Sequence, residues 1–322
     1  MDPKAITKEE LLAFYKDMRA IRIVEQMAAK AYSIGGIKGF CHLYIGEESV
    51  AVGTAAATKD DYWITAYREH GQAMAKGVDP NAMMAEMFGK AAGTSKGLGG
   101  SMHIFDKKHR FMGGWGIVGG HVPLANGVGW AIRHRNEERV CVCFFGDGAT
   151  HQGAFFEALC LAQLYKLPCI FICENNGYAM GTSIERQSAL IDLHRRAEGV
   201  GMKHEQFDGY DVELVRDRVA AAREYAVSGK GPVFLEIMTY RHRGHSMSDP
   251  AKYRPDGELE EKKKSDPLTI TEDRLVKDFG ISQEELKAIQ KEVDTAAKAT
   301  YNFADEATEL DPNTIYDFVY AD

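Results

Sequence analysis

The chain has 322 residues, 45% of them hydrophobic, with a mean hydropathy of −0.32, which is the profile of a soluble globular protein large enough to bury a substantial core. Its 39 basic and 47 acidic residues are spread along the chain for a formal net charge of −8, and this argues against nucleic acid or an anionic membrane as a partner. The longest apolar stretches, residues 140–145 and 168–173, fall far short of a membrane span, and the N-terminus has neither an apolar signal core nor an Arg/Ser-rich transit pattern. The expected location is the bacterial cytoplasm, with the mitochondrial matrix open only if a transit peptide has been removed.

In chain order, Thr7 followed by Glu10 is a capping box, and Leu11, Phe14, Met18 and Ile21 recur at helical spacing. They predict an opening helix over about residues 8–34, closed at Gly35 and Gly36. Glycine then concentrates between Gly89 and Gly129, in runs such as Lys96-Gly-Leu-Gly-Gly-Ser101 and Gly113-Gly-Trp-Gly-Ile-Val-Gly-Gly120. Either the backbone here approaches a ligand or takes positive φ, or the segment is a set of surface turns. Short apolar runs next alternate with helical patterns: strands at 140–145, 168–173, 205–207 and 233–240, and helices at 152–165 and 211–228. That alternation predicts an α/β fold, a mostly parallel sheet with helices on both faces. From residue 256 to the end the chain is more charged and mostly helical, with an acidic stretch near its close. The six cysteines sit mostly in apolar runs, without CxxC spacing or a nearby histidine cluster, and read as reduced core residues.

The chemistry concentrates where the strand at 140–145 runs into Gly146-Asp-Gly148 and the next strand ends in Glu174-Asn-Asn176, so that Asn176 follows Asp147 by 29 residues. In an α/β sheet both lie at C-terminal strand ends, where ligands bind. A carboxylate, an amide oxygen and a backbone carbonyl there suit magnesium, which keeps diphosphate oxygens in its octahedral shell. The flanking glycines let N–H groups approach phosphate, and the following helix points its positive end at the same place.

These two segments resemble the thiamine diphosphate motif, and the wider chain resembles the α subunit of the decarboxylating component of pyruvate dehydrogenase complexes. The resemblance runs from about Phe14 to Pro267 through Gly39-Phe-Cys-His-Leu43, Ile64-Thr-Ala-Tyr-Arg-Glu-His-Gly71, Gly99-Gly-Ser-Met-His103, Gly116-Ile-Val-Gly119, Tyr178-Ala-Met-Gly-Thr-Ser183 and Gly244-His-Ser-Met-Ser-Asp-Pro250. It implies one thiamine diphosphate-binding domain over 1–322, with the helical segment from about 256 as a C-terminal extension. It also implies that the Asp147 and Asn176 side chains and the Tyr178 carbonyl bind Mg2+, with Gly148 and Ala149 against the diphosphate. Tyr67, Arg68 and His245 would contact the diphosphate oxygens, Gly116 and Val118 would meet the aminopyrimidine through their backbone, and His42 would lie near the substrate, so that His42 and His245 are the catalytic candidates.

The resemblance further implies an α2β2 heterotetramer, in which a β chain supplies the glutamate facing the pyrimidine, and a lipoyl-bearing acyltransferase component that accepts the acetyl group made from pyruvate. The chain shows a single Gly-Asp-Gly to Asn-Asn constellation and has no room for a second sheet of comparable size. Ser183 and Ser246 match positions phosphorylated in mitochondrial relatives, but the loop Asp249-Pro-Ala-Lys-Tyr-Arg254 is shorter and lacks their further serine, so no dedicated kinase is expected. Trp115 and Leu98 depart from the family pattern, which bears on substrate preference. The alternatives are an acetoin or branched-chain 2-oxo acid dehydrogenase α subunit and a non-catalytic scaffold subunit. A nicotinamide-dependent enzyme would need a G-x-G-x-x-G turn after its first strand, which the sequence lacks.

Overall fold

The computed structural model describes residues 5–319. The opening capping box forms: the Glu10 N–H donates to Thr7 Oγ1 at 3.2 Å and the Thr7 N–H donates to the Glu10 carboxylate at 2.9 Å, starting α1 (Lys8–Ser33). Then come α2 (Glu48–Thr58), β1 (Tyr62–Ala66), α3 (His70–Lys76), α4 (Pro80–Met87), β2 (Phe111–Trp115) and α5 (Val122–His134). The predicted alternation follows as β3 (Cys141–Gly146), α6 (Gly153–Leu164) and β4 (Cys169–Asn175). A two-stranded hairpin, β5 (Tyr178–Ala179) with β6 (Thr182–Ser183), and a short α7 (Ile184–Gln187) lead to β7 (Lys203–Asp208), α8 (Val212–Val227) and β8 (Val233–Met238). The charged C-terminal region is α9 (Glu258–Lys262), α10 (Pro267–Lys277) and α11 (Gln283–Glu306). Boundaries differ from the expected ones by a residue or two, β7 running two residues earlier and one later than residues 205–207.

All six strands of the main sheet are parallel, in the order β2-β1-β3-β4-β8-β7. The chain leaves β1 to one side for β2 and returns on the other side as β3. The order therefore reverses between β1 and β3, and a crevice opens beyond their carboxyl ends, the usual ligand position in such sheets.

Successive strand residues point to opposite faces. Val142, Phe144, Ile170, Ile172 and Leu235 pack with residues of α1, α2, α8 and α11, whereas Cys141, Cys143, Phe145, Phe171 and Cys173 pack with residues of α5 and α6. A third apolar cluster joins Leu11, Tyr15 and Met18 of α1 to Leu268 and Leu275 of α10 and Leu286 of α11, tying the C-terminal helices to the first one. Five cysteines are buried as expected, but Cys160 on α6 is exposed, because its helix turns that side away from the sheet. The segment after α11 lies against the glycine-rich region, where Lys90 pairs with Glu309 at 2.5 Å and the Ala91 N–H donates to the Thr308 carbonyl. Among the described residues no helix is long and apolar enough to cross a membrane.

Candidate functional site

A cavity of about 290 Å3 occupies the β1–β3 crevice. Tyr67 and Arg68 follow β1, Gly146 to Ala149 follow β3, Asn176 follows β4, and Arg241 and His245 come from the loop after β8, so four strand ends supply its walls. Of the expected site residues it gathers Tyr67, Arg68, Val118, Asp147, Gly148, Ala149, Asn176, Tyr178 and His245. Gly116 and His42 line instead a second cavity of about 680 Å3, which shares Tyr67, Val118, Met180 and His245 with the first. Gly148 is a close approach: a Cβ there would stand 2.8 Å from that of Ala179.

Burial governs the charges. Asp147 is 2% exposed, and burial pushes its carboxyl up to about 6 against the lowering effects of a hydrogen bond from Gln187 and of the Arg241 guanidinium. Arg68 spends its terminal nitrogens on backbone, Nη1 on the Leu43 carbonyl and Nη2 on the His245 carbonyl, each at 2.8 Å. The expected fork toward a diphosphate is thus partly engaged, although each terminal nitrogen keeps a second N–H. Arg241 donates to the Tyr178 carbonyl at 3.4 Å and the Met180 carbonyl at 3.1 Å, so a guanidinium stands at the carbonyl expected to face the metal. Desolvation, then Arg68, holds His245 down at about 3 and His42 at about 2, leaving both rings neutral near pH 7. Their rings lie 5.1 Å apart, each with a buried Nδ1 that lacks a hydrogen-bond partner.

The residues present fit a hard cation together with a diphosphate. Among the described residues no three His, Cys, Asp or Glu converge as a metal cluster. The cavity offers the Asp147 carboxylate, the Asn176 amide oxygen and the Tyr178 carbonyl, with Glu47 and Glu174 also on its wall, an all-oxygen set that suits a hard cation taking further oxygens from a ligand. Two guanidinium groups and the His245 imidazole line the same cavity, as an oxyanion requires.

The family profile described as the dehydrogenase E1 component matches residues 16–313. This chain belongs to that family. A pyruvate dehydrogenase E1 component subunit alpha of Zymomonas mobilis is 47% identical over 306 residues, covering 93% of this chain and 85% of its own. The protein of the same name from Rhizobium meliloti is 45% identical over 312 residues, covering 96% and 90%. A probable mitochondrial pyruvate dehydrogenase E1 component subunit alpha of Caenorhabditis elegans is 44% identical over 319 residues, covering 98% and 79%.

In this E1 component, sequence reasoning did not single out Glu47, Glu174 or Arg241 as cavity residues. Glu174 is 7% exposed, accepts from the Tyr44 hydroxyl and from Gln72 Nε2, and is pushed up to about 8 by burial and then by Glu47. Its position beside Asn175 and Asn176 was the available signal. Glu47 carried none, since its partners Asn176 and Thr239 lie 129 and 192 residues away. The glycine-rich region also has its own organiser: the Glu86 carboxylate accepts the N–H groups of Ser95, Gly97, Gly99 and Gly100 at 2.7–3.1 Å. A Cβ on Gly114 would fall 0.9 Å from a Glu69 carboxylate oxygen, so glycine there makes room for a buried acid rather than for a ligand.

Proposed function

We propose that this chain is the thiamine diphosphate-binding α subunit of a pyruvate dehydrogenase (acetyl-transferring), acting with a β chain in the bacterial cytoplasm. The observation that carries the reading is the single cavity at the β1–β3 switch point, which gathers Asp147, Asn176 and Tyr178 with Arg68, Arg241 and His245. Near full-length similarity to proteins named as pyruvate dehydrogenase E1 alpha subunits, most of them bacterial, supports it.

On this reading Asp147, the Asn176 amide oxygen and the Tyr178 carbonyl hold Mg2+, with Arg241 withdrawing from that carbonyl. Gly148 and Ala149 lie against the diphosphate, and Tyr67, Arg68 and His245 contact its oxygens. Gly116 and Val118 offer backbone to the aminopyrimidine at the junction of the two cavities. When bound, thiamine diphosphate supplies the electron-accepting ring that lets a 2-oxo acid lose carbon dioxide. The protein's part is positioning and charge. His42 and His245, both neutral, present ring nitrogens to the substrate side and to the diphosphate, where each can hold or pass a proton. The whole chain forms one cofactor module.

The β chain completes the site and supplies the carboxylic acid facing the pyrimidine, in an α2β2 assembly, and a lipoyl-bearing acyltransferase component takes the acetyl group. Trp130, Leu161 and Leu164, which are 50%, 49% and 70% exposed on α5 and α6, support the heteromer, since an apolar face of this kind is normally covered by a partner.

Calorimetric titration of thiamine diphosphate, with and without magnesium, into the chain alone and into the chain co-expressed with its β partner tests the reading. Binding should require both magnesium and the β chain, and Asp147→Ala should abolish it while the fold remains. Tight binding to the isolated chain would overturn the shared site. Turnover of pyruvate should exceed that of acetoin and 3-methyl-2-oxobutanoate.

A further inference from the structure

Three carboxylates line the first cavity, and they are not equivalent. Both oxygens of Glu174 accept hydrogen bonds, from the Tyr44 hydroxyl and from Gln72. Asp147 accepts from Gln187 and is the carboxylate ligand of the proposed metal. Glu47, only 1% exposed, divides its two oxygens between different tasks. Its Oε1 accepts from Asn176 Nδ2 at 3.3 Å and from Thr239 Oγ1 at 2.8 Å. Its Oε2 has no hydrogen-bond partner, and the nearest cation to it is Arg68, whose Nε is 3.9 Å away.

Two consequences follow from this arrangement. Taking the amide N–H of Asn176 fixes which way that amide points, because the nitrogen is committed to a carboxylate while the oxygen, which accepts the Tyr178 N–H at 3.3 Å, keeps a second lone pair for a cation. Its Oε2, buried without a hydrogen bond and 3.9 Å from Arg68 Nε, also carries charge that its surroundings screen weakly. At the floor of a cavity that receives a diphosphate, such a charge opposes the ligand when it arrives alone and favours the divalent cation that accompanies it.

We propose that Glu47 is a positioning residue that makes capture of the diphosphate cofactor conditional on the metal, by orienting Asn176 and by placing a buried negative charge beside Arg68. The inference rests on the cofactor and metal assignment made above. It gives Glu47 a task apart from ligation: it sets the linkage between two ligands.

The test uses the chain assembled with its β partner. The quantity measured is the ratio of thiamine diphosphate dissociation constants without and with Mg2+, in wild type, Glu47→Gln and Glu47→Asp. Glu47→Gln keeps the shape and an accepting oxygen but removes the charge, so the ratio should fall about tenfold or more, the size expected for one buried charge acting over a few ångströms. The fall should come from tighter metal-free binding as well as weaker binding with metal. Glu47→Asp, which keeps the charge, should retain most of the wild-type ratio. Equal ratios in wild type and Glu47→Gln would overturn the proposal and leave the metal site standing, whereas a wild-type ratio near one would overturn the metal site itself. If Glu47→Gln fails to assemble while Glu47→Asp succeeds, the carboxylate is a folding element and the proposal falls.

Discussion

On one face of the sheet α1, α2, α8 and α11 cover the strands with a cluster that also takes in residues of α3 and α4, and ion pairs beside it are internal. Arg22 of α1, for example, bonds to Glu48 of α2 and, at 2.9 Å, to Asp266 at the start of α10. The opposite face is covered by α5 and α6, whose inner sides are as well buried but whose outer sides expose Leu124, Trp130, Phe156, Leu161 and Leu164. The first layer is closed by the chain's own polar groups and the second presents apolar surface to its surroundings. A fold that invests its internal charges on one side and leaves hydrophobic side chains on the other has divided stability from association.

The sharpest way to break that comparison is to damage the first layer. Trp63 is fully buried there, with its ring N–H donating to Thr58 at 3.0 Å, and Trp63→Ala should cost about 3–5 kcal/mol in chemical denaturation, with or without a partner. A loss seen only in the isolated chain would mean that the first layer also depends on the β subunit.

The second layer has an acid sensitivity of its own. His121, at the N-cap of α5, is buried against the Phe144 carbonyl at 2.7 Å and is held down at about 4 by desolvation. As pH falls below about 6.5 the unfolded chain takes up the proton while the folded ring stays neutral, so stability contributed by this residue is lost between pH 6.5 and 4. The loss amounts to about 3 kcal/mol over that window. Denaturation midpoints should therefore drop on acidification, and His121→Gln should flatten the slope; an unchanged slope would place the sensitivity in His42, His242 or His245, which are shifted the same way.

Replacing both Leu161 and Leu164 by Glu should leave the chain's own stability within about 0.5 kcal/mol, yet weaken assembly with the β chain about tenfold or more, roughly 1.4 kcal/mol. Analytical ultracentrifugation would measure this, and undisturbed assembly would put the partner elsewhere. The smallest effect belongs to the start of α1, where Thr7→Ala removes one half of the capping box and should cost about 1 kcal/mol, again regardless of partner.

Much of this architecture was legible because its signals are local. The Thr7–Glu10 box needs four residues, and the Gly146-Asp-Gly148 and Glu174-Asn-Asn176 turns follow strands of near-continuous apolar character. β1 and β2 escaped notice because each is five residues long and β2 contains Gly113 and Gly114, which read as turn rather than strand. The glycine-rich region reads as ligand approach, positive φ or surface turns, but several of its glycines serve Glu86 and Glu69 instead. No sequence pattern announces a buried carboxylate whose donors come from distant segments, and Glu47 was overlooked for that reason.

The terminal nitrogens of Arg68 are held by main-chain carbonyls of residues 43 and 245, with the Glu47 carboxylate 3.9 Å from its Nε. The side chain at either position can therefore change while the guanidinium keeps its two main-chain acceptors. The placement of a buried cation is thus set by backbone, which sequence drift at its anchors alters least.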